Sequence, residues 1–170
     1  MRVAARKIRR APAPGELAIA QTRDAAMVAR LLEGAGMTAA GVDAPGGCFL
    51  VAHLGDDPAG VIGLETKIDA ALLRSLHVRE PMRRRGIGAA LLAAVRLAAH
   101  TRGARRLYAI VADDSAGRWF AGRGFAPEPA AAILAAMAGA PYADYLRENF
   151  TVGELCGLAV DISGDGVIER

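Results

Sequence analysis

The chain has 170 residues, enough for one domain with a substantial core. Its formal charge of +3 is misleading, because residues 1–15 hold five of the 21 Lys/Arg and no acid. The rest carries 16 basic against 18 acidic side chains, a net of −2 that excludes a basic nucleic-acid binder. The apolar run Ala130–Ala140 is far short of the ~20 residues that span a bilayer, and no apolar signal-peptide core is seen. Two cysteines, Cys48 and Cys156, argue against a disulfide framework and for a reducing cytoplasm.

Residues 1–15 read as a disordered basic tail, a composition shared with transit segments and nucleic-acid-binding arms. Leu17–Gln21 reads as a first strand. Asp24 is placed to cap a helix in which Ala25, Val28, Leu31 and Leu32 recur at helical spacing, and Gly34 and Gly36 end it. Met37–Asp43 is a further short segment. Cys48–Leu54 and Ala59–Thr66 form a hairpin about the turn residues Gly55-Asp56-Asp57-Pro58. Lys67–Ala70 turns into Leu72–Arg79, so three antiparallel strands run in series, and Pro81, without an N–H, stops the last.

Arg83-Arg84-Arg85-Gly86-Ile87-Gly88 follows. Ala89–Thr101 is then a helix with Leu91, Leu92, Val95 and Ala99 on one face. Arg105–Val111 is entered by a helical crossover and is therefore expected to run parallel to Leu72–Arg79. Ser115–Gly122 is a short helix, and Pro127 and Pro129 break the chain. Ala130–Ala138 is a helix that Pro141 ends, Tyr142–Asn149 forms another helical segment, and Leu158–Ile162 is the last strand. The class is α/β with a mixed central sheet, one domain over residues 16–163 and a tail at 164–170.

The stretch Leu72–Leu92 carries the chemistry. The first N–H groups of a helix have no partner within it, and the helix dipole places partial positive charge there. Gly86 and Gly88 let a ligand approach the backbone closely, and Arg83, Arg84 and Arg85 add charge that does not titrate. Together they describe a site for a di-anion such as a pyrophosphate. A nucleotide P-loop is absent. A dinucleotide fingerprint fails as well: Leu91 stands where the third glycine belongs, and Arg105, Arg106 and Tyr108 occupy the region of the ribose-binding acid.

The remaining pattern, Arg83-x-x-Gly86-x-Gly88 after a strand, resembles motif A of the GNAT acyltransferase superfamily. Trp119-Phe120-Ala121-Gly122-Arg123-Gly124-Phe125 is similar to that family's WF/FY-x-x-x-GF ending. The resemblance runs from about Leu17 to Phe125. It implies the GNAT fold, with the strands Leu72–Arg79 and Arg105–Val111 splayed at their carboxyl ends around acetyl-CoA, and no metal. Residues Arg83, Arg84, Arg85, Gly86, Ile87, Gly88 and Ala89 would hold the pyrophosphate. The backbone of Leu76, His77 and Val78 would face the thioester carbonyl and the pantetheine, with Phe120 beside the cofactor. The implied activity is acetyl transfer to the primary amine of a small molecule, with Met37–Asp43 in the acceptor wall. A non-catalytic acyl-CoA-binding module and a protein lysine or N-terminal acetyltransferase are the alternatives. No nucleic-acid or membrane partner is expected, and a homodimer is admitted.

Glu65, at a strand end, and His77, which titrates near neutrality, are the candidate general bases. Strand alternation puts Arg74 on one face with Leu72, Leu76 and Val78, and His77 opposite, with Leu73 and Ser75. An arginine on an apolar face needs a partner. Glu65 or Asp69 is one choice and a substrate carboxylate is another. Many family members carry a tyrosine where Phe120 stands, so transfer is expected to be direct and to lack a dedicated tyrosine acid. Solvent, Tyr108, Tyr142 or Tyr145 would then supply the proton to the thiolate. Leu72-Leu73-Arg74-Ser75-Leu76, Val78 and the Trp119-Phe120 ending are similar to two branches, the arsenic-resistance-operon N-acetyltransferases and the acetyltransferase domain of N-acetylglutamate synthase. That likeness implies an amino acid or amino-acid-like acceptor. Cys156 reads as a small buried hydrophobe, and His53, His77 and His100 lack ligand spacing.

Overall fold

The computed structural model describes residues 15–164, so both expected tails fall almost wholly outside the described residues. The strands are β1 (Leu17–Thr22), β2 (Gly47–Leu54), β3 (Asp57–Lys67), β4 (Ala70–Val78), β5 (Arg106–Val111), β6 (Ala126–Pro127) and β7 (Cys156–Asp161). The helices are α1 (Ala25–Glu33), α2 (Ile87–Thr101), α3 (Asp114–Ala121), α4 (Ala130–Ala136) and α5 (Pro141–Asn149). The strands form one seven-stranded sheet in the order β1-β2-β3-β4-β5-β7-β6.

Strands β1 to β4 make an antiparallel meander, as the hairpin signals predict. Helix α2 then crosses over and returns the chain as β5, parallel to β4. Asp24 caps α1 by accepting from the Met27 N–H at 2.8 Å, and Asp113 caps α3 by accepting from the Ala116 N–H at 2.8 Å. The apolar stripe Leu91, Leu92, Val95 and Ala99 buries against Ile62, Leu64, Ala71 and Leu73 on one face of the sheet. Gly60 permits that approach: a Cβ there would lie 2.8 Å from the His77 carbonyl oxygen and 3.1 Å from Leu91 Cδ1. On the other face, α1 covers Phe49, Val51 and Val61, while α4 and α5 cover Leu72, Tyr108 and Ala159.

Two features of β4 position the site. Its parallel pairing with β5 covers only Ala70–Leu72 against Arg106–Tyr108, although β4 runs on to Val78 and β5 to Val111. Beyond Leu72 the strands part. The second feature overturns the expected alternation. Ser75 has φ +57, and the β3–β4 register shifts between Val61 and Gly63, which marks a β-bulge. Before the bulge, Ala71 and Leu73 face α2; after it, Leu76 and Val78 do. Arg74 and His77 both end on the α1 and α5 face, where Arg74 meets Phe49 and Tyr142 and His77 pairs with Val61. Arg74 therefore does not share a face with Leu76 and Val78, and His77 does not share one with Leu73. One extra residue reverses every side chain beyond it.

Candidate active site

The parted strands open a cleft of about 540 Å³. Leu73–Leu76 of β4 form one wall, Ile110 and Val111 of β5 another, and Trp119 and Phe120 of α3, Met37 and Tyr142 line it further. A second cavity of about 350 Å³ lies at the start of α2, lined by Val78, Arg83, Arg84, Arg123 and the run Gly86–Ala89. Leu76, Arg83 and Trp119 line both, so the two form one groove.

Local geometry explains the second cavity. Gly86 takes φ +77, which turns the chain so that α2 begins at Ile87, two residues before the start expected from its helix formers. No side chain caps this helix, and a Cβ on Gly86 would meet nothing within 4 Å. The Arg83 Nε donates to the Val78 carbonyl at 3.0 Å and ties the turn to the end of β4. The result is a helix N-terminus with open amides, two arginines beside it, and space for an anion.

The structure brings Leu76, Val78, Arg83, Arg84, Gly86, Ile87, Gly88 and Ala89 together around that cavity, and it places Phe120 in the cleft. Arg85 is exposed and lines neither cavity. The His77 side chain lines a separate depression with Arg30 and Leu31 of α1, because the bulge turns it there. Burial, and then the Arg83 charge, hold its imidazole below the ordinary value. His77 lines neither the cleft nor the second cavity.

Glu65 also stands behind the cleft. It is 4 % exposed, and both of its carboxylate oxygens lie 3.0 Å from the Tyr142 N–H, so β3 caps α5 from a distance. Burial pushes its carboxyl above the ordinary value, opposed by the Tyr142 N–H and the Arg74 charge. Arg74 takes the structural partner of the two expected. Its Nη1 lies 3.8 Å from Glu65 Oε1, Nη2 donates to the Ala40 carbonyl at 2.7 Å, and Nε donates to Ser75 Oγ at 3.1 Å. The guanidinium lies over the Tyr142 ring at 4.2 Å. It is buried yet lines the cleft, and its Nη1 is left without a hydrogen-bond partner.

Trp119 and Arg123 are site residues that the sequence reading did not single out. Arg123 stacks on the Trp119 ring at 3.7 Å and donates to the Trp119 carbonyl at 2.9 Å, which presents its charge to the second cavity. The signal was their four-residue spacing, which puts them on one face of a helical turn. Among the described residues, no group of three or more His, Cys, Asp or Glu could hold a metal ion, and no helix is long and apolar enough to cross a membrane.

The mixed sheet, its parted parallel strands and the glycine-opened helix together define an acyltransferase fold. Residues 45–127, which run from the start of β2 through β6, match the model of the acetyltransferase (GNAT) domain. Solved structures share the fold. An N-acetylglutamate synthase from Neisseria gonorrhoeae, complexed with coenzyme A and N-acetyl-glutamate, is 21% identical with a TM-score of 0.61, over 85% of this chain and 35% of that one. The chain thus spans about a third of that enzyme's length. A GNAT-family acetyltransferase from Staphylococcus aureus Mu50 is 14% identical with a TM-score of 0.60, over 86% of this chain and 99% of that one. The PaiA N-acetyltransferase from Thermoplasma acidophilum, in complex with coenzyme A, is 15% identical with a TM-score of 0.53, over 77% and 65%. No curated protein matches the sequence significantly.

Proposed function

We propose that the chain transfers an acetyl group from acetyl-CoA to the primary amine of a small molecule, an amino acid or amino-acid-like compound, by direct attack of the amine on the thioester. The observation that carries this reading is the single groove: a cleft between parted parallel strands that opens onto an uncapped, glycine-bearing helix N-terminus. In this reading Arg83, Arg84, Arg123 and the first amides of α2 hold the pyrophosphate. The pantetheine runs past Leu76–Val78, and the thioester sits in the wider cleft. Backbone N–H groups there polarise its carbonyl, and the loss of one such donor costs ~3 kcal/mol. The amine enters beside Met37 and Tyr142. Since the Glu65 and His77 side chains lie outside the cleft lining, the attacking nitrogen loses its proton to water. The amino-acid acceptor is supported by the likeness of the strand Leu72–Val78 to the synthase branch, and by a shared fold with a synthase that binds N-acetyl-glutamate. The unpaired Cys48 and Cys156 support a cytoplasmic setting.

Trp119 is the only tryptophan and lines both cavities, so its fluorescence reports coenzyme binding directly. Titration with acetyl-CoA is expected to quench it. Thiol release from acetyl-CoA is expected to rise when amino acids or simple amines are added. Quenching without acceptor-dependent thiol release would favour the binding module, and release with peptides alone would favour protein acetylation.

A further inference from the structure

Phe120 stands where the family resemblance implies a proton-donating tyrosine. It is 4 % exposed, and its ring is in edge contact with Trp119 at 5.0 Å and Phe125 at 5.1 Å. The departing thiolate has no donor at that position. The chain has three tyrosines. Tyr108 lies in the core under α4 and α5, and Tyr145 stacks against Tyr142 at 6.1 Å without lining the cleft. Tyr142 lines it. We propose that Tyr142 is the general acid of the transfer, carried to the cleft by α5 in place of the α3 position that Phe120 occupies. This assignment rests on the acetyl-transfer reading above.

The groups around Tyr142 fix its backbone and its ring. Both Glu65 oxygens hold its backbone N–H at 3.0 Å, and the helix start is fixed to β3 by that contact. The Arg74 guanidinium lies over the ring at 4.2 Å, and Tyr145 stacks at an interplanar angle of 11°. Burial holds the phenol above its ordinary value, and Arg74 works in the opposite direction. The phenol is therefore protonated when the thioester arrives, and the phenolate left behind is stabilised by a fixed positive charge. The charged and titratable groups facing the ring are Arg74 from β4, Glu65 from β3 and Tyr145 from α5.

The step balances. The amine lone pair forms a C–N bond to the thioester carbon, and the carbonyl electrons move onto oxygen. They return as the C–S bond breaks, and the bonding pair leaves with sulfur. The Tyr142 hydroxyl proton passes to that sulfur to give the coenzyme thiol. The nitrogen loses one proton to water, and the phenolate regains one from water. Glu65 and Arg74 act as positioning residues through Tyr142.

The test is Tyr142→Phe, which keeps the ring against Arg74. Acetyl-CoA quenching of Trp119 should superimpose on that of the parent, and KM for acetyl-CoA should hold. Thiol release, measured with whichever of the twenty amino acids the parent uses best, should fall about a hundredfold in kcat. Adding Phe120→Tyr should recover about tenfold or more, because it restores a hydroxyl at the α3 position. A structural role for Tyr142 would not be rescued from another helix. A kcat for Tyr142→Phe within about twofold of the parent would overturn the assignment, as would a double variant no faster than the single one. If the parent quenches normally but releases no thiol with any amino acid or amine, the transferase reading fails, and the acid role falls with it.

Discussion

The carboxylate of Glu65 offers a sharp test of what holds α5 against the sheet beside the cleft. It does two things at once: it accepts from the start of α5 and it faces Arg74. Breaking a buried ion pair usually costs ~3–5 kcal/mol, but Coulomb attraction repays desolvation only when the geometry is good. Here Nη1 and Oε1 are 3.8 Å apart and Nη1 has no hydrogen bond. Burial, the largest influence on Glu65, raises its pKa in spite of Arg74. The fold therefore prefers position 65 neutral. Glu65→Gln keeps an oxygen for the Tyr142 N–H and removes the buried charge. It should leave stability at pH 7 unchanged or raise it by about 1 kcal/mol. Glu65→Ala removes the acceptor as well, and leaves the Tyr142 and Ala143 N–H groups without it. Two unsatisfied donors cost about 2–4 kcal/mol, a drop of roughly 5–15 °C in Tm for a domain of this size.

The pH dependence has a definite sign. A raised folded pKa means that the Glu65 contribution is complete below the ordinary value of 4.5 and is lost as pH rises through the folded value. The parent should therefore gain on Glu65→Gln as pH falls through that window. Urea unfolding followed by circular dichroism, at several pH values, reads both differences. If Glu65→Gln loses about 3 kcal/mol or more at neutral pH, the ion pair is the main tether and the reasoning is wrong.

Three further outcomes are expected. Gly86→Asp should abolish acetyl-CoA quenching of Trp119 while shifting Tm by only a few degrees, since Asp tolerates φ +77 and has open space, but its carboxylate repels a phosphate. Gly63→Ala should cost about 1–3 kcal/mol, because its Cβ would lie 2.6 Å from Phe49 Cε1 and 2.7 Å from Arg74 Cγ; thermal unfolding checks this, and kcat should fall while coenzyme binding holds. The lowered pKa of His77 means its contribution is whole above the ordinary 6.5 and is lost as pH falls through the folded value; His77→Asn should lose less stability than the parent between about pH 7.5 and about pH 5.5 in urea unfolding.

Most of the sheet was legible because its signals are local. Asp24, the Gly55–Pro58 turn, Pro81 and the alanine-rich α2 each act within a few residues, and Gly86-x-Gly88 marks the anion cradle in the same way. The parallel sense of β5 follows from the crossover alone, but the parting of β4 and β5 was inferred from the family likeness and had no signal in the pattern. The Ser75 bulge is invisible in sequence, because a serine at positive φ looks like any other strand residue. That single residue decided the faces of Arg74 and His77, so alternation failed for both. Glu65, Arg74 and Tyr142 meet through contacts more than sixty residues apart in the case of Tyr142, beyond the reach of any periodicity.

The match to the domain model stops short of three residues that line the cleft or touch its buried arginine. Residues 45–127 build the glycine-opened helix start and most of the cleft, whereas Met37, Ala40 and Tyr142 come from the segments on either side, Ala40 and Tyr142 in contact with Arg74. On the acetyl-transfer reading proposed above, donor handling and acceptor choice are written in separate segments that touch at one buried guanidinium. On that reading, exchanging the outer segments changes what is acetylated while the donor machinery stays as it is.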